Sequence, residues 1–321
     1  MTAQGKLSLV AEPAAPEFGR DMLACLRQYP HIIGPKYFYD EIGSALFERI
    51  CSLPEYYLTR TETAILADAA AEMADLIGPD ATIVEFGAGS LVKTRLLLDA
   101  LNAPRRFAPV DISGEHLTRA AAVLREDYPG LEVMPVVADF TEPERLPVWR
   151  QEGRPWVGFF PGSTLGNLSR SQARRFLSTT ARLLRGGGLL IGVDLVKDPL
   201  VLHAAYNDAA GVTAAFNRNL LARANRQLGS DFDVAVWQHY AFYNVPEERI
   251  EMHLVVREPQ NVSILGQRFV LRRGESIRTE ISQKYTVESF RTLAAACGFH
   301  PRGLWCDPDN LFSVHWLVSV G

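Results

Sequence analysis

The 321-residue sequence predicts an open α/β sheet with a second, smaller lobe. Three observations predict it. Short apolar runs rich in β-branched and aromatic residues alternate with amphipathic helical stretches from Thr82 to Asp194, the pattern of strand and helix units around a parallel sheet. The first run, Thr82 to Phe86, opens directly into Gly87-Ala88-Gly89 and a helical pattern. The alternation then stops between Lys197 and Tyr285, an interval of about 90 residues that exceeds any ordinary connection.

Residues 1–17 hold Ala, Pro and Glu with little periodicity and are expected as a loose arm. Phe18 to Tyr29 has a helical pattern. Two aromatic clusters follow, Lys36-Tyr37-Phe38-Tyr39-Asp40 and Leu53-Pro54-Glu55-Tyr56-Tyr57. Their rings either pack the segment on the main body or form a lid whose phenols face a pocket, where an aromatic ring can also meet a cation. Thr59-Arg60-Thr61-Glu62 has the form of a capping box opening the next helix, on which Ile65, Ala69, Met73 and Leu76 share a face.

Past the glycine turn, Lys93 to Leu101 is expected as a helix, Phe107 to Val110 as the second strand and Leu131 to Val137 as the third, with a helix between them that Ser113 can cap. Trp156 to Phe160 reads as the fourth strand, Ser171 to Leu184 as a helix closed by Arg185 and three glycines, and Leu189 to Val193 as the fifth strand. The insertion contains a long helical stretch, His203 to Leu228, and strand-like runs at Arg249 to Val256 and Phe269 to Arg272. Val287 to Cys297 resumes the helical pattern, and Leu311 to Val320 supplies the final strand.

Hydrophobic residues make up 47% of the chain, enough for a proper core. The formal net charge of -4, with no run of like charge, gives no electrostatic footprint for nucleic acid or an anionic membrane. The N-terminus lacks a secretory pattern and no apolar run reaches the ~18 residues of a membrane span, so a cytoplasmic protein is expected. Cys25, Cys51, Cys297 and Cys306 have no metal or disulfide spacing and are expected to be buried small apolar residues. Scattered histidines argue against a metal, and His253 and His315, in strand-like runs, are expected to be satisfied structural residues.

Strand, glycine turn and helix start together present bare backbone N–H groups at a positive helix end. A dinucleotide fingerprint requires a third glycine three residues after the second, and that position is Val92. Glu85, Gly87 and Gly89 resemble instead the first motif of the class I S-adenosylmethionine-dependent methyltransferases. Asp111, at the end of the second strand, is placed to accept hydrogen bonds from ribose hydroxyls. Asp139 with Phe140, at the tip of the third, suits an adenine: carboxylate to the amino hydrogens, ring over the face. The loop Pro161 to Leu168 follows the fourth strand, beside the glycine turn, where a substrate would lie.

Taken together, the blocks Lys36 to Asp40, Leu53 to Tyr57, Glu85 to Gly89, Gly162 to Leu168, Asp194 to Asp198 and Tyr206 to Asn219 resemble the bacterial and fungal L-histidine Nα-methyltransferases of ergothioneine biosynthesis. The resemblance extends over most of the chain. It implies a Rossmann-like class I methyltransferase sheet (61–196 plus 286–321) with a smaller α+β substrate lobe (18–60 plus 197–285). It implies that Gly87, Lys93, Asp111, Asp139 and Phe140 hold S-adenosylmethionine, that Tyr56, Asn167 and Tyr206 hold the amino acid's backbone groups, and that Glu280 and Ser282 hold its imidazole. Tyr39 falls near the amine. Ala88, Leu91 and Val92 stand where relatives often carry more polar residues, and the Asn217-Arg218-Asn219 cluster is set aside as helix scaffolding.

The implied reaction is trimethylation of free L-histidine to hercynine, with no metal, by a monomer. Its nucleophile must be the neutral amine, which Tyr39, Tyr56 and Asn167 can orient without a competing fixed positive charge. No dedicated base stands out, and water can take the proton. Three other readings stay open: methylation of another amino acid, a nicotinamide-dependent dehydrogenase, and a non-catalytic module that binds S-adenosylmethionine.

Overall fold

The chain first builds α1 (Ala15–Arg27), β1 (His31–Ile32), α2 (Glu41–Cys51) and α3 (Tyr57–Ile77) in a computed structural model that describes residues 15–89, 91–146 and 155–320. Residues 1–14 of the expected arm lie outside the described residues, and from Ala15 onward the chain is already helical. Asp40 caps α2 by accepting the Gly43 N–H at 2.8 Å. Gly43 is required there, since a Cβ would stand 1.8 Å from the Phe38 carbonyl oxygen.

The expected capping box is corrected: α3 starts at Tyr57 and has no side-chain cap. Glu62 lies inside the helix with its side chain turned inward, because a carboxylate that finds an ammonium and a backbone N–H does better there than at a solvated helix end.

The alternating region forms β2 (Thr82–Phe86), α4 (Val92–Ala100), β3 (Arg106–Asp111), α5 (Gly114–Asp127), β4 (Glu132–Val133), β5 (Val136–Val137), β6 (Trp156–Phe160), α6 (Arg170–Leu183) and β7 (Gly188–Asp194). All five residues of β2 and all seven of β7 are buried, as central strands covered on both faces must be. The third strand is two short pieces rather than one, because Pro135 between them has no N–H to donate. Ser113 stands at the N-cap of α5 without a side-chain cap, its N–H bonded to Asp111 at 2.8 Å.

The insertion comprises α7 (Pro199–Tyr206), α8 (Val212–Leu228), β8 (Trp237–Asn244), β9 (Arg249–Val256), β10 (Gln260–Ile264), β11 (Gln267–Leu271) and β12 (Ser276–Gln283). The single long helix expected from His203 to Leu228 is broken at Asn207–Gly211. Asp208 there accepts the N–H groups of Val212 and Thr213, both at 2.8 Å, and Gly211 takes a φ of 70°. The chain closes with α9 (Val287–Ala296), β13 (Phe299–Cys306) and β14 (Phe312–Ser319). β13 had not been expected: Pro301 and an irregularity in pairing before Gly303 disguise it in the sequence.

The large sheet has the order β13-β14-β7-β6-β2-β3-β4, with β5 also beside β3; β14 runs antiparallel to its two neighbours and the central pairings are parallel. This is the α/β sheet the sequence predicts, its order reversing beside β2, where open sheets bind ligands. A four-stranded sheet, β1-β12-β9-β8, stands apart from it. Parallel pairing of His31 with Ile277 joins the N-terminal segment to the insertion, and Phe18, Phe38, Phe216, Trp237 and Ile277 share one buried cluster. Asn217 is scaffolding, bonded to His239, His253 O and Thr279.

Cys25 and Cys297 are buried, as expected, whereas Cys51 and Cys306 are only half-buried. His253 bonds both ring nitrogens, to Ser276 and Glu251. His315 departs from the expectation: Nε2 meets Ser313 at 2.9 Å, but Nδ1 has no partner among the described residues, and burial lowers the ring's pKa to about 3.

Candidate active site

Two groups of side chains and exposed backbone meet at the carboxyl ends of the central strands. The first surrounds the glycine turn. Gly87 has a φ of 75°, and a Cβ there would lie 3.4 Å from the Phe140 ring, so the backbone is bare where the ring passes. The expected bare N–H groups are corrected: those of Gly87 and Ala88 both donate to Val110 O, at 2.9 and 3.0 Å, and that of Gly89 to Gly87 O at 2.9 Å, so the turn is locked against β3 and what it leaves bare is backbone without side chains. Asp111 ends that strand. Asp139 accepts from the Thr141 backbone and hydroxyl at 2.9 and 2.6 Å, and Lys36 Nζ lies 3.5 Å from it. Glu85, beneath the turn, accepts the Thr94 hydroxyl at 2.6 Å, and burial pushes its carboxyl up to about 8. Bare backbone, an aromatic face and two carboxylates at adjacent strand ends fit a nucleoside with a charged tail.

Lys93 is held by Glu62, whose two carboxylate oxygens also accept the Gly162 N–H at 2.9 and 2.8 Å. One buried carboxylate therefore joins the helix after the glycine turn to the loop after β6. It reaches this position through a gap in β7: a Cβ on Gly192 would stand 2.0 Å from Glu62 Oε1.

The loop itself is bent sharply, with Gly162 and Ser163 at φ values of 85° and 55°, the Thr164 hydroxyl donating to Pro161 O at 2.9 Å and the Asp194 N–H donating to Ser163 Oγ at 2.9 Å. It ends in the turn Thr164–Asn167, pressed on β12: a Cβ on Gly166 would meet Gln283 O at 2.9 Å and Ser282 Oγ at 3.4 Å.

The second group gathers there. Tyr56 and Tyr206 meet edge to face at 6.3 Å, and Tyr39 packs on Phe47 and Phe216. Burial raises the Tyr39 phenol well above its ordinary range, and the charges of Glu280 and Asp111 add to this, so Tyr39 lies within electrostatic reach of both groups. Tyr56 is raised in the same way by burial and then by Tyr206, Cys51 and Glu280. Burial pushes the Glu280 carboxyl up to about 7 against the opposing pull of Lys284. Of the two alternatives for the aromatic segments the packed one holds: Tyr37, Phe38, Tyr56 and Tyr57 all join the buried core cluster and Tyr39 packs against it.

Below these side chains lies a charged cluster that the sequence reading missed. Lys284 is fully buried, and its Nζ donates to Asp194 at 2.6 Å, Ser282 Oγ at 2.8 Å and Tyr206 OH at 3.3 Å. Lys197 donates to Asp194 at 2.5 Å and Tyr57 OH at 2.7 Å, and the Tyr57 hydroxyl donates to Asp194 at 2.8 Å. Two ammonium groups hold the Asp194 carboxyl below its usual range although burial opposes this. A signal was present in the alternation Glu280, Ser282, Lys284, two polar side chains on one face of β12 and a third one residue beyond its end. Glu62 could likewise have been found as a charge three residues from Ile65 on an apolar helix face. Among the described residues no group of three or more His, Cys, Asp or Glu is arranged to hold a metal ion.

Residues 18–319 match the family model described as histidine-specific methyltransferase, SAM-dependent. The chain belongs to this family. The methyltransferase is 44% identical over 316 residues to the histidine N-alpha-methyltransferase of Mycolicibacterium smegmatis, with 97% of each chain covered. It is 42% identical to the protein of the same name from Mycobacterium tuberculosis, with 92% of each covered. Ergothioneine biosynthesis protein 1 of Neurospora crassa is 32% identical over 91% of this chain, which spans 33% of that longer protein. The methyltransferase therefore has a glycine turn after β2 and, at the loop after β6, a cluster of tyrosine and polar side chains.

Proposed function

We propose that this enzyme transfers three methyl groups to the α-amine of free L-histidine, giving hercynine in the first step of ergothioneine biosynthesis. The reading is supported by the names of its relatives and, above all, by one observation: the Asn167 turn is pressed against the β12 face that carries Glu280 and Ser282. A pocket with polar groups at both ends suits a small amino acid with a polar ring.

In this reading Gly87, Lys93, Asp111, Asp139 and Phe140 hold S-adenosylmethionine, which when bound supplies an activated methyl group on a sulfonium. Tyr56, Asn167 and Tyr206 grip the amino acid's backbone groups. Glu280 accepts an imidazole N–H and Ser282 meets the other ring nitrogen. Tyr39, Tyr56 and Asn167 orient the neutral amine and leave room around it for successive methyl groups, and water takes the proton. Such alignment can supply on the order of 7–11 kcal/mol of the barrier. The working unit is a cytoplasmic monomer with a substrate lobe, 18–60 plus 197–285, and a donor domain, 61–196 plus 286–321, between which the ligands bind. No helix among the described residues is long and apolar enough to cross a membrane.

Mass spectrometry of L-histidine incubated with purified enzyme and S-adenosylmethionine, beside a panel of other amino acids, tests the reading. Gain of three methyl groups by histidine alone is expected. Methylation of a different amino acid in preference would overturn the substrate and leave the reaction class standing.

A further inference from the structure

Lys284 is the least accessible cation of the site, and its three donors are all engaged: one on Asp194 at 2.6 Å, one on Ser282 Oγ at 2.8 Å and one on Tyr206 OH at 3.3 Å. An ammonium has no lone pair, so neither hydroxyl can turn its own hydrogen back on Nζ. Each hydroxyl must accept from Lys284 and direct its O–H away from it; Ser282 stands within hydrogen-bond reach of the Tyr206 phenol and can donate there until a ligand supplies an acceptor. Ser282 alternates with Glu280 along β12 and faces the Gly166 turn, and Tyr206 packs on Tyr56. Asp194, shared with Lys197 and Tyr57, fixes the ammonium from the side of the large sheet.

We propose that Lys284 is a positioning residue that sets the hydrogen-bond polarity of the substrate pocket, holding Ser282 and Tyr206 as donors toward the bound amino acid. The inference rests on the assignment of that pocket to histidine and adds a rule of selection to it. Tyr206 then donates to the carboxylate. Ser282 donates to a ring nitrogen that must carry a lone pair, while Glu280, an acceptor when ionised, takes the hydrogen of the other nitrogen. The pocket thus selects a neutral imidazole in one tautomer. An imidazolium, with two N–H groups, would leave the Ser282 hydrogen without an acceptor. A ring of similar size lacking the basic nitrogen would do the same.

The wild-type enzyme is first assayed with L-histidine, then with L-histidine labelled with nitrogen-15 in the ring, bound in the presence of S-adenosylhomocysteine. Nitrogen shifts of a single neutral tautomer are expected; an imidazolium, or a ring averaging over both tautomers, overturns the proposal without Lys284 having been touched. Lys284→Met is then compared with wild type for binding of L-histidine and of L-3-(2-thienyl)alanine. Wild type should prefer histidine by about a hundredfold or more, and the variant should lose about tenfold to hundredfold in histidine binding and most of that preference, with S-adenosylhomocysteine affinity little changed.

Equal loss of both amino acid and S-adenosylhomocysteine binding would show a purely structural lysine and overturn the proposal, as would an unchanged preference. If Lys284→Met fails to fold, the ring-nitrogen spectrum of the wild type still decides. If wild type neither binds nor methylates histidine, the functional reading itself falls and this proposal falls with it.

Discussion

In the proposed reading, the donor end and the amino-acid end of the site are built in opposite ways. At the donor end, a bare glycine turn, two strand-terminal aspartates and one ring come from a continuous run of strand and helix units, Glu85 to Phe140. At the amino-acid end, Tyr39, Tyr56, Asn167, Tyr206, Glu280 and Ser282 come from five separate stretches, and a buried lysine and aspartate stand beneath them. Backbone geometry makes the first, and assembled side chains make the second. A backbone site tolerates change in many side chains, whereas an assembled one fails when a single partner is lost, because what remains is a buried polar group with nothing to bond.

The largest expected effect falls where the two ends meet. Glu62→Ala removes the partner of Lys93, whose side chain is 14% exposed, and of the Gly162 N–H. A loss of about 3–5 kcal/mol is expected in chemical denaturation, together with weaker binding of both ligands. Loss confined to one ligand would break the picture of Glu62 as their common support.

Next come the substitutions that separate the ends. Glu280→Ala should weaken histidine binding about tenfold to hundredfold and leave the methyl donor little changed. Asp111→Ala should do the reverse. Titration calorimetry with each ligand reads both, and equal losses for either variant would contradict the assignment. Gly192→Ala places a methyl group against the Glu62 carboxylate and should cost about 1–3 kcal/mol by overpacking, checked by the midpoint of urea unfolding.

Acidity sharpens the comparison further. Glu280, held at about 7 in the folded protein, ionises there only as pH rises through that value. Because its folded value is raised, the stability it contributes is full below its ordinary carboxylate range and is lost as pH rises toward 7. Histidine binding should move the other way and strengthen over the same window. Titrating wild type beside Glu280→Gln separates this from the ligand's own imidazole. The smallest effect is expected from Lys36→Ala, which removes a partly exposed neighbour of Asp139 and should change stability by less than about 1 kcal/mol.

The same contrast explains what could be read from the sequence. The β2 run, the glycine turn and Asp111 are local signals, so the sheet and its ligand edge were legible. Lys284 was missed because its meaning depends on Asp194, 90 positions away in the chain and joined to it only by folding. Glu62 was misread because Thr59-x-x-Glu62 satisfies a local rule, while Lys93 and Gly162 satisfy the carboxylate better from a distance. The division of the His203 to Leu228 stretch had the same cause in miniature, Asp208 and Gly211 acting within an otherwise helical composition.

Where β7 ends, the chain leaves the large sheet, and it returns beside the same residues. Leu195 bridges Tyr285, the Val196 N–H donates to Tyr285 O at 2.9 Å, and the Tyr285 N–H donates to Asp194 O at 3.3 Å. Ends already fastened together mean that the intervening stretch is a closed loop, and doubling the length of such a loop costs only about 0.6 kcal/mol in closure entropy. Length can therefore change within that loop, which carries Tyr206, Glu280 and Ser282, at little cost to the fastening of its ends beside Asp194.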